Sequence, residues 1–187
     1  IGADPRMGPG LGFASKTLLR LGIVLAGARI TVGQIIDLGP LTLLAVLVIL
    51  LATLGAGIAF ARAAGLGSAF GTLAGGAVAI CGASAAMALA TTLGERRANQ
   101  AQLALVLVGI SAASAAAMFL YPILAHQLGL NDRQAGFMLG ASIHDVAQAI
   151  GAGYSFSDEA GQVAAIVKLT RVALLAPVLA LVAAFFR

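Results

Sequence analysis

Charged and aromatic residues are both scarce in this sequence. Only 10% of the 187 residues are charged and 5% are aromatic, whereas 60% are hydrophobic, and the mean hydropathy is +1.03. A soluble domain of this length could not bury so much apolar side-chain surface. The composition therefore excludes an ordinary soluble domain and predicts an all-α membrane protein in a lipid bilayer.

The sequence also lacks the residues of several other protein classes. Cys81 is the only cysteine, so no disulfide can form within the chain. The net charge of +4 does not indicate a nucleic-acid partner, because the basic residues form no face of a soluble fold. His126 is predicted in a loop, far from Cys81, and nothing has the spacing of metal ligands. Without a nucleotide-binding or catalytic motif, we expect no enzyme, metal or cofactor.

Long apolar runs fill most of the chain. Six of them have about the ~20-residue length that crosses a bilayer, and short polar turns join them. The chain starts without methionine and stops directly after an apolar run. We therefore expect residues 1–187 to be one transmembrane domain and an internal piece of a longer protein. The predicted membrane segments lie near 13–30, 41–61, 70–93, 101–124, 135–152 and 161–186.

Glycine is concentrated in the segments at 70–93 and 135–152. Glycine permits an unwound backbone, which membrane proteins tolerate only inside protein or beside water. Glycine-interrupted segments are therefore typical of transporter binding sites. The alternative is close packing between helices, as in GxxxG contacts, and the sequence leaves both interpretations open.

Both glycine-rich segments contain the same triplet, Gly82-Ala83-Ser84 in one and Gly140-Ala141-Ser142 in the other. We interpret Ser84 and Ser142 as N-caps of half-helices that begin inside the membrane. The unpaired N–H groups and positive dipole end of such a half-helix attract an anion.

The second triplet runs into a cluster of polar residues, His144, Asp145 and Gln148. Helical spacing predicts that the three share a face, which must contact protein or water rather than lipid. Ser142 and Asp145 also fit a capping box. His144 could be a core histidine, a donor to substrate or a proton carrier. A Ser-His-Asp triad is excluded, because residues adjacent on one turn cannot meet in that way.

Four cations lie within the predicted membrane segments, as the pairs Lys16 with Arg20 and Lys168 with Arg171. Each pair shares a helix face. The side chains could reach the membrane surface, or they could line a path for an anion. One carboxylate, Asp145, cannot neutralise four cations. The excess positive charge predicts a bound anion, access of water, or acidic residues elsewhere in the longer protein.

Four stretches carry a family resemblance: "FASKTLLRLGIVLAG" at 13–27, "AICGASAAMA" at 79–88, "LGASIHDVAQAIGAG" at 139–153 and "VKLTRVALLAPV" at 167–178. Together they resemble the YeiH-type family of proposed sulfate exporters, which are longer bacterial inner-membrane proteins. The family is grouped with the cation/proton antiporters and bile-acid transporters. The resemblance implies an inverted-repeat transporter fold with crossed, broken helices and an elevator-like core.

The resemblance also implies positions within that fold. Residues 81–84 would form the break of the first crossover helix, and residues 16–20 and 168–171 would be equivalent positions of the two repeats. The matching second crossover would lie beyond Arg187.

We therefore expect a multi-pass transporter of the bacterial inner membrane that exports sulfate or a similar small inorganic anion. One alternative is a cation/proton antiporter that uses Asp145, and another is a membrane scaffold that transports nothing. A homo-oligomer is a further expectation. The expected substrate-binding residues are Cys81, Gly82, Ser84, Gly140, Ser142, His144, Asp145, Gln148, Lys168, Arg171, Lys16 and Arg20.

Overall fold

A computed structural model describes residues 39–186, and this part of the chain is helical, with no β-strand in it. The segment expected at 13–30, with Lys16 and Arg20, lies outside the described residues. The eight helices of the described part are α1 (Gly39–Ala63), α2 (Gly67–Ala79), α3 (Ala83–Leu93), α4 (Gln100–Gln127), α5 (Asp132–Ser142), α6 (Val146–Phe156), α7 (Asp158–Ala173) and α8 (Leu175–Phe185).

Three stretches of the described part are long and apolar enough to cross a membrane: α1, α4 and the consecutive helices α7 and α8. Large apolar side chains such as Leu41 on α1 and Phe119 on α4 are more than two-thirds exposed. A membrane helix can expose such side chains, because its surroundings are hydrocarbon rather than water. The predicted all-α membrane fold is confirmed.

The remaining helices form two interrupted pairs, α2 with α3 and α5 with α6. Residues 80–82 separate the first pair, and residues 143–145 separate the second. Each of these helices has only 11 or 13 residues. That is about 16–20 Å of helix, which is shorter than the ~30 Å hydrocarbon core of a bilayer. The glycine-rich segments are thus interrupted helices, which is one of the two interpretations that their composition left open.

Most of the glycines in these segments serve helix packing. A Cβ atom added to Gly71 would lie 2.7 Å from the Cα of Ile58, so α2 contacts the backbone of α1 there. A Cβ atom on Gly140 would lie 2.6 Å from the carbonyl oxygen of Ala164, where α5 meets α7. At these positions close small-residue packing is the correct interpretation. Within the two breaks only Gly82 has a positive φ.

Helix α7 is the central element of the described part. It packs against both α5 and α6, and it also touches α1. Its buried face carries two cations, Lys168 and Arg171, among apolar residues such as Val163 and Val167. This placement puts both cations beside the two breaks.

Candidate functional site

The two breaks lie against each other. A Cβ atom on Gly82 would be 3.5 Å from the Cβ atom of His144. Lys168 donates from Nζ to the carbonyl oxygens of Ile80, at 3.1 Å, and of Ile143, at 2.7 Å. Within the described part of the chain, residues 80–82 and 143–145 therefore form one site.

The first break depends on glycine. Gly82 precedes α3 with φ 68° and ψ −123°, a conformation that L-residues with a side chain rarely adopt. No side chain caps α3. Ser84, expected as the N-cap, lies instead inside the first turn of α3 and is exposed. That expectation is wrong because the helix begins earlier, directly after Gly82.

The second break depends on side-chain hydrogen bonds. Helix α5 continues through Ser142, so Ser142 ends one helix and does not cap the next. Asp145 is the N-cap of α6, and its Oδ1 accepts from the backbone N–H of Gln148 at 3.1 Å. The Asp145 N–H in turn donates to Oγ of Ser114, on α4, at 3.0 Å.

The predicted Ser142–Asp145 capping box is therefore not formed. The sequence did contain a signal for the observed cap, since Asp145 is followed three residues later by Gln148. His144 and Asp145 also precede α6, so the three predicted polar residues do not share one helix face.

A cavity of about 70 Å³ lies where α3 and α6 begin, and residues of α4 line another side of it. The cavity brings together four of the expected site residues with two serines of α4 that the sequence analysis missed. Ser111 and Ser114 are three residues apart, so they share a helix face, and this spacing was the available signal. The lining residues are Gly82, Ala83, Ile110, Ser111, Ser114, His144, Asp145 and Gln148.

Two buried polar atoms at this cavity have no hydrogen-bond partner in the described part of the chain. They are Nδ1 of His144 and Oε1 of Gln148. Most buried polar atoms in proteins are paired, so an unpaired atom calls for an explanation. Nδ1 donates or accepts according to its tautomer, and the amide oxygen Oε1 accepts. Each of the two side chains therefore has an unused hydrogen-bonding atom in the described part of the chain.

Lys168 and Arg171 contact the ends of α2 and α5, whereas the cavity lies at the beginnings of α3 and α6. Lys168 has no exposed surface and Arg171 is 2% exposed. Arg171 donates from Nε to the carbonyl of Ala79 at 2.9 Å, from Nη2 to that of Val78 at 2.8 Å, and from Nη1 to that of Ala141. These carbonyls lie at the C-terminal, negative ends of α2 and α5. Neither cation lines the cavity.

The other expected site residues lie apart from the cavity. Cys81 is in the first break and 5% exposed, within the apolar core. Gly140 packs on α7, and Ser142 is half-buried at the end of α5. The structure describes neither Lys16 nor Arg20.

Potential metal ligands do not cluster in the described residues, where no group of three His, Cys, Asp or Glu side chains is found. His126 lies in the last turn of α4, where it stacks on Phe156 with ring centroids 4.2 Å apart. Its predicted position in a loop is therefore wrong.

The described part of the chain is thus an all-α membrane fold in which two interrupted helices lie against each other. The family model described as Conserved hypothetical protein 698 matches residues 1–187. The chain belongs to this family, which is the YeiH-type family that its motifs resemble.

Several relatives carry the name UPF0324 membrane protein. The chain is 44% identical over 177 residues to UPF0324 membrane protein CT0845 of Chlorobaculum tepidum. That alignment covers 95% of this chain and 49% of CT0845. It is 44% identical over 173 residues to UPF0324 membrane protein TauZ of Paracoccus pantotrophus. That alignment covers 92% of this chain and 51% of TauZ. The chain thus spans about half the length of these curated relatives. No solved structure matches it.

Proposed function

We propose that this chain is part of a secondary transporter, not an enzyme, that exports sulfate or a similar small inorganic anion. It would act as a multi-pass protein of the bacterial inner membrane. The observation that carries the proposal is the cavity at the beginning of two half-helices, α3 and α6. Helix N-termini present N–H groups and positive partial charge, and they bind anions in many proteins.

Charge and size both support an anion. Lys168 and Arg171 bond carbonyls next to the breaks without lining the cavity. Asp145 is the one acidic residue among the cavity-lining residues. The helix ends and cations therefore outweigh one carboxylate in a region of low dielectric constant. A cavity of about 70 Å³ suits an ion of a few atoms better than a large organic solute.

The carboxylate of Asp145 favours a second candidate, a cation/proton antiporter. It lines the cavity together with Ser111 and Ser114, and oxygen atoms of this kind bind hard cations. A membrane scaffold that transports nothing is the third. It is supported by the bonds of Lys168 and Arg171 to backbone carbonyls, which need no substrate.

Ion flux through vesicles containing the full-length protein separates the three candidates. An anion exporter moves labelled sulfate, and Asp145→Asn still moves it, because asparagine caps a helix as well as aspartate does. A cation/proton antiporter changes the internal pH in a sodium gradient and loses this activity in Asp145→Asn. A scaffold does neither, and none of these ions raises its melting temperature through binding.

The site within the transporter is tested by His144→Ala, which removes a polar side chain from the cavity. We expect sulfate flux to fall at unchanged expression. The matched control is Ser155→Ala, because Ser155 lies on α6 outside the cavity and donates within its own helix. Equal flux in both variants would exclude this cavity as the anion site.

Light scattering of the solubilised protein tests the expected homo-oligomer.

A further inference from the structure

Lys168 and Arg171 are the two largest fully buried side chains in residues 39–186. Buried cations are usually paired with carboxylates. No ion pair joins either of them to an acid in the described part of the chain, and their donors go to backbone carbonyls instead. The question is therefore why two buried cations bond carbonyl oxygens rather than carboxylates.

The carbonyls belong to both interrupted helices. Those of residues 78–80 end α2, and those of Ala141 and Ile143 end α5. A helix that ends inside a membrane leaves its last carbonyls without helical partners and without water. A cation satisfies these carbonyls and also complements the negative end of the helix dipole. One turn of α7 does this for both helices.

We propose that Lys168 and Arg171 are positioning residues that hold the two breaks together and so set the shape of the cavity, without binding the transported ion. Each cation bonds carbonyls at the end of α2 on one side and at the end of α5 on the other. The cavity begins one or two residues further along each chain segment, at Gly82 and His144. A shift of either break therefore moves the wall of the cavity. This inference holds for whichever ion the cavity accepts.

Cys81 provides a reporter for the test. It follows Ile80 directly, lies in the first break and is 5% exposed, so it should react slowly with a maleimide. The experiment uses the full-length protein in native membranes with its other cysteines replaced. In Arg171→Gln we expect labelling of Cys81 to become at least about tenfold faster, since the break opens locally more often. Arg171→Lys retains a cation and should give an intermediate rate.

Two controls separate local opening from general damage. Arg62→Gln removes an exposed arginine at the end of α1 and should leave the labelling rate of Cys81 unchanged. A second reporter, Ala125→Cys combined with Cys81→Ala, lies on α4 at a position without exposed surface. It should stay unreactive when Arg171→Gln is added. Equal acceleration at both reporters would mean general unfolding and would overturn the proposal.

Transport kinetics distinguish positioning from substrate binding. For Arg171→Lys and Lys168→Gln we expect a lower maximum rate, with KM for the transported ion within about twofold of the original. A KM more than about tenfold higher with unchanged labelling of Cys81 would show direct ion binding and contradict the inference. If the original protein moves no sulfate, the proposed function fails, and the labelling test still decides the positioning role.

Discussion

The break between α2 and α3 depends on backbone freedom, whereas the break between α5 and α6 depends on side chains. Gly82 has a positive φ, and α3 begins without a side-chain cap. At the second break Ile143 and Asp145 have ordinary extended angles, and Asp145 and Ser114 supply the hydrogen bonds. Two neighbouring breaks that serve one cavity thus respond to different kinds of substitution.

The difference also makes the two helix ends unequal towards a ligand. The Asp145 carboxylate accepts one of the first N–H groups of α6 and brings a negative charge with it. The N-terminus of α3 has no side-chain cap and no acidic residue in its first turn. An anion would therefore approach α3 more closely, and a cation would approach α6.

The largest effect is expected from Gly82→Ala, which tests the backbone side of the comparison. The added Cβ atom would have only ordinary contacts, 3.5 Å at the nearest, so the cost comes from the backbone conformation. We expect the free energy of unfolding to fall by about 1–3 kcal/mol, measured as a lower melting temperature of the full-length protein. Gly109→Ala on α4, where nothing lies within 4 Å, is the control and should not destabilise. Similar melting of both variants would contradict this reading of the first break.

Ser114→Ala tests the side-chain support of the second break. It leaves the Asp145 N–H without its acceptor, and an unsatisfied buried donor costs about 1–3 kcal/mol. Ser111→Ala is matched to it, because Ser111 lies on the same helix and the same cavity but is exposed. Melting of the two variants side by side should show a loss only for Ser114→Ala, and equal losses would argue against the bond.

Asp145 permits capping and charge to be separated. Asp145→Ala should destabilise by about 1 kcal/mol, whereas Asp145→Asn should change stability by much less, because asparagine is an equally good N-cap. Thermal melting at neutral pH measures both. A loss in Asp145→Asn as large as in Asp145→Ala would show that the charge, and not the cap, stabilises the second break.

The smallest effect is expected from Ser84→Ala. Ser84 occupies the position in the first triplet that Ser142 has in the second, but its side chain is exposed and caps nothing. The substitution should change stability by less than about 0.5 kcal/mol. A loss comparable with that of Asp145→Ala would restore Ser84 as a cap and remove the contrast between the breaks.

Glycine concentration in the segments at 70–93 and 135–152 pointed to the two interrupted helices, but it left close helix packing open as an alternative. The sequence was not sufficient to predict how they are interrupted. Capping patterns such as that of Ser142 and Asp145 depend on where the helix starts, and tertiary contacts moved the start to Val146. The GxxxG-like glycines were ambiguous because close packing and unwinding require the same residue.

The partners of the buried cations could not be predicted for a related reason. The sequence suggested an anion or a carboxylate as the partner of Lys168 and Arg171, because those are the usual partners of buried cations in proteins. Backbone carbonyls become acceptors for these cations only after two helices end beside each other, and no residue type encodes that. The cavity-lining role of His144, Asp145 and Gln148 was a better inference, since polar side chains in a membrane segment must find protein or water.

The bonds of Lys168 also bear on the order in which the protein is made. The carbonyl of Ile80 accepts from a side chain 88 residues later in the chain, and that of Ile143 from one 25 residues later. A ribosome that adds roughly 5–20 residues per second completes both breaks seconds before α7 emerges. During that interval the carbonyls of Ile80 and Ile143 lack their Lys168 donor. Pairing of these two carbonyls must therefore wait for the synthesis of α7.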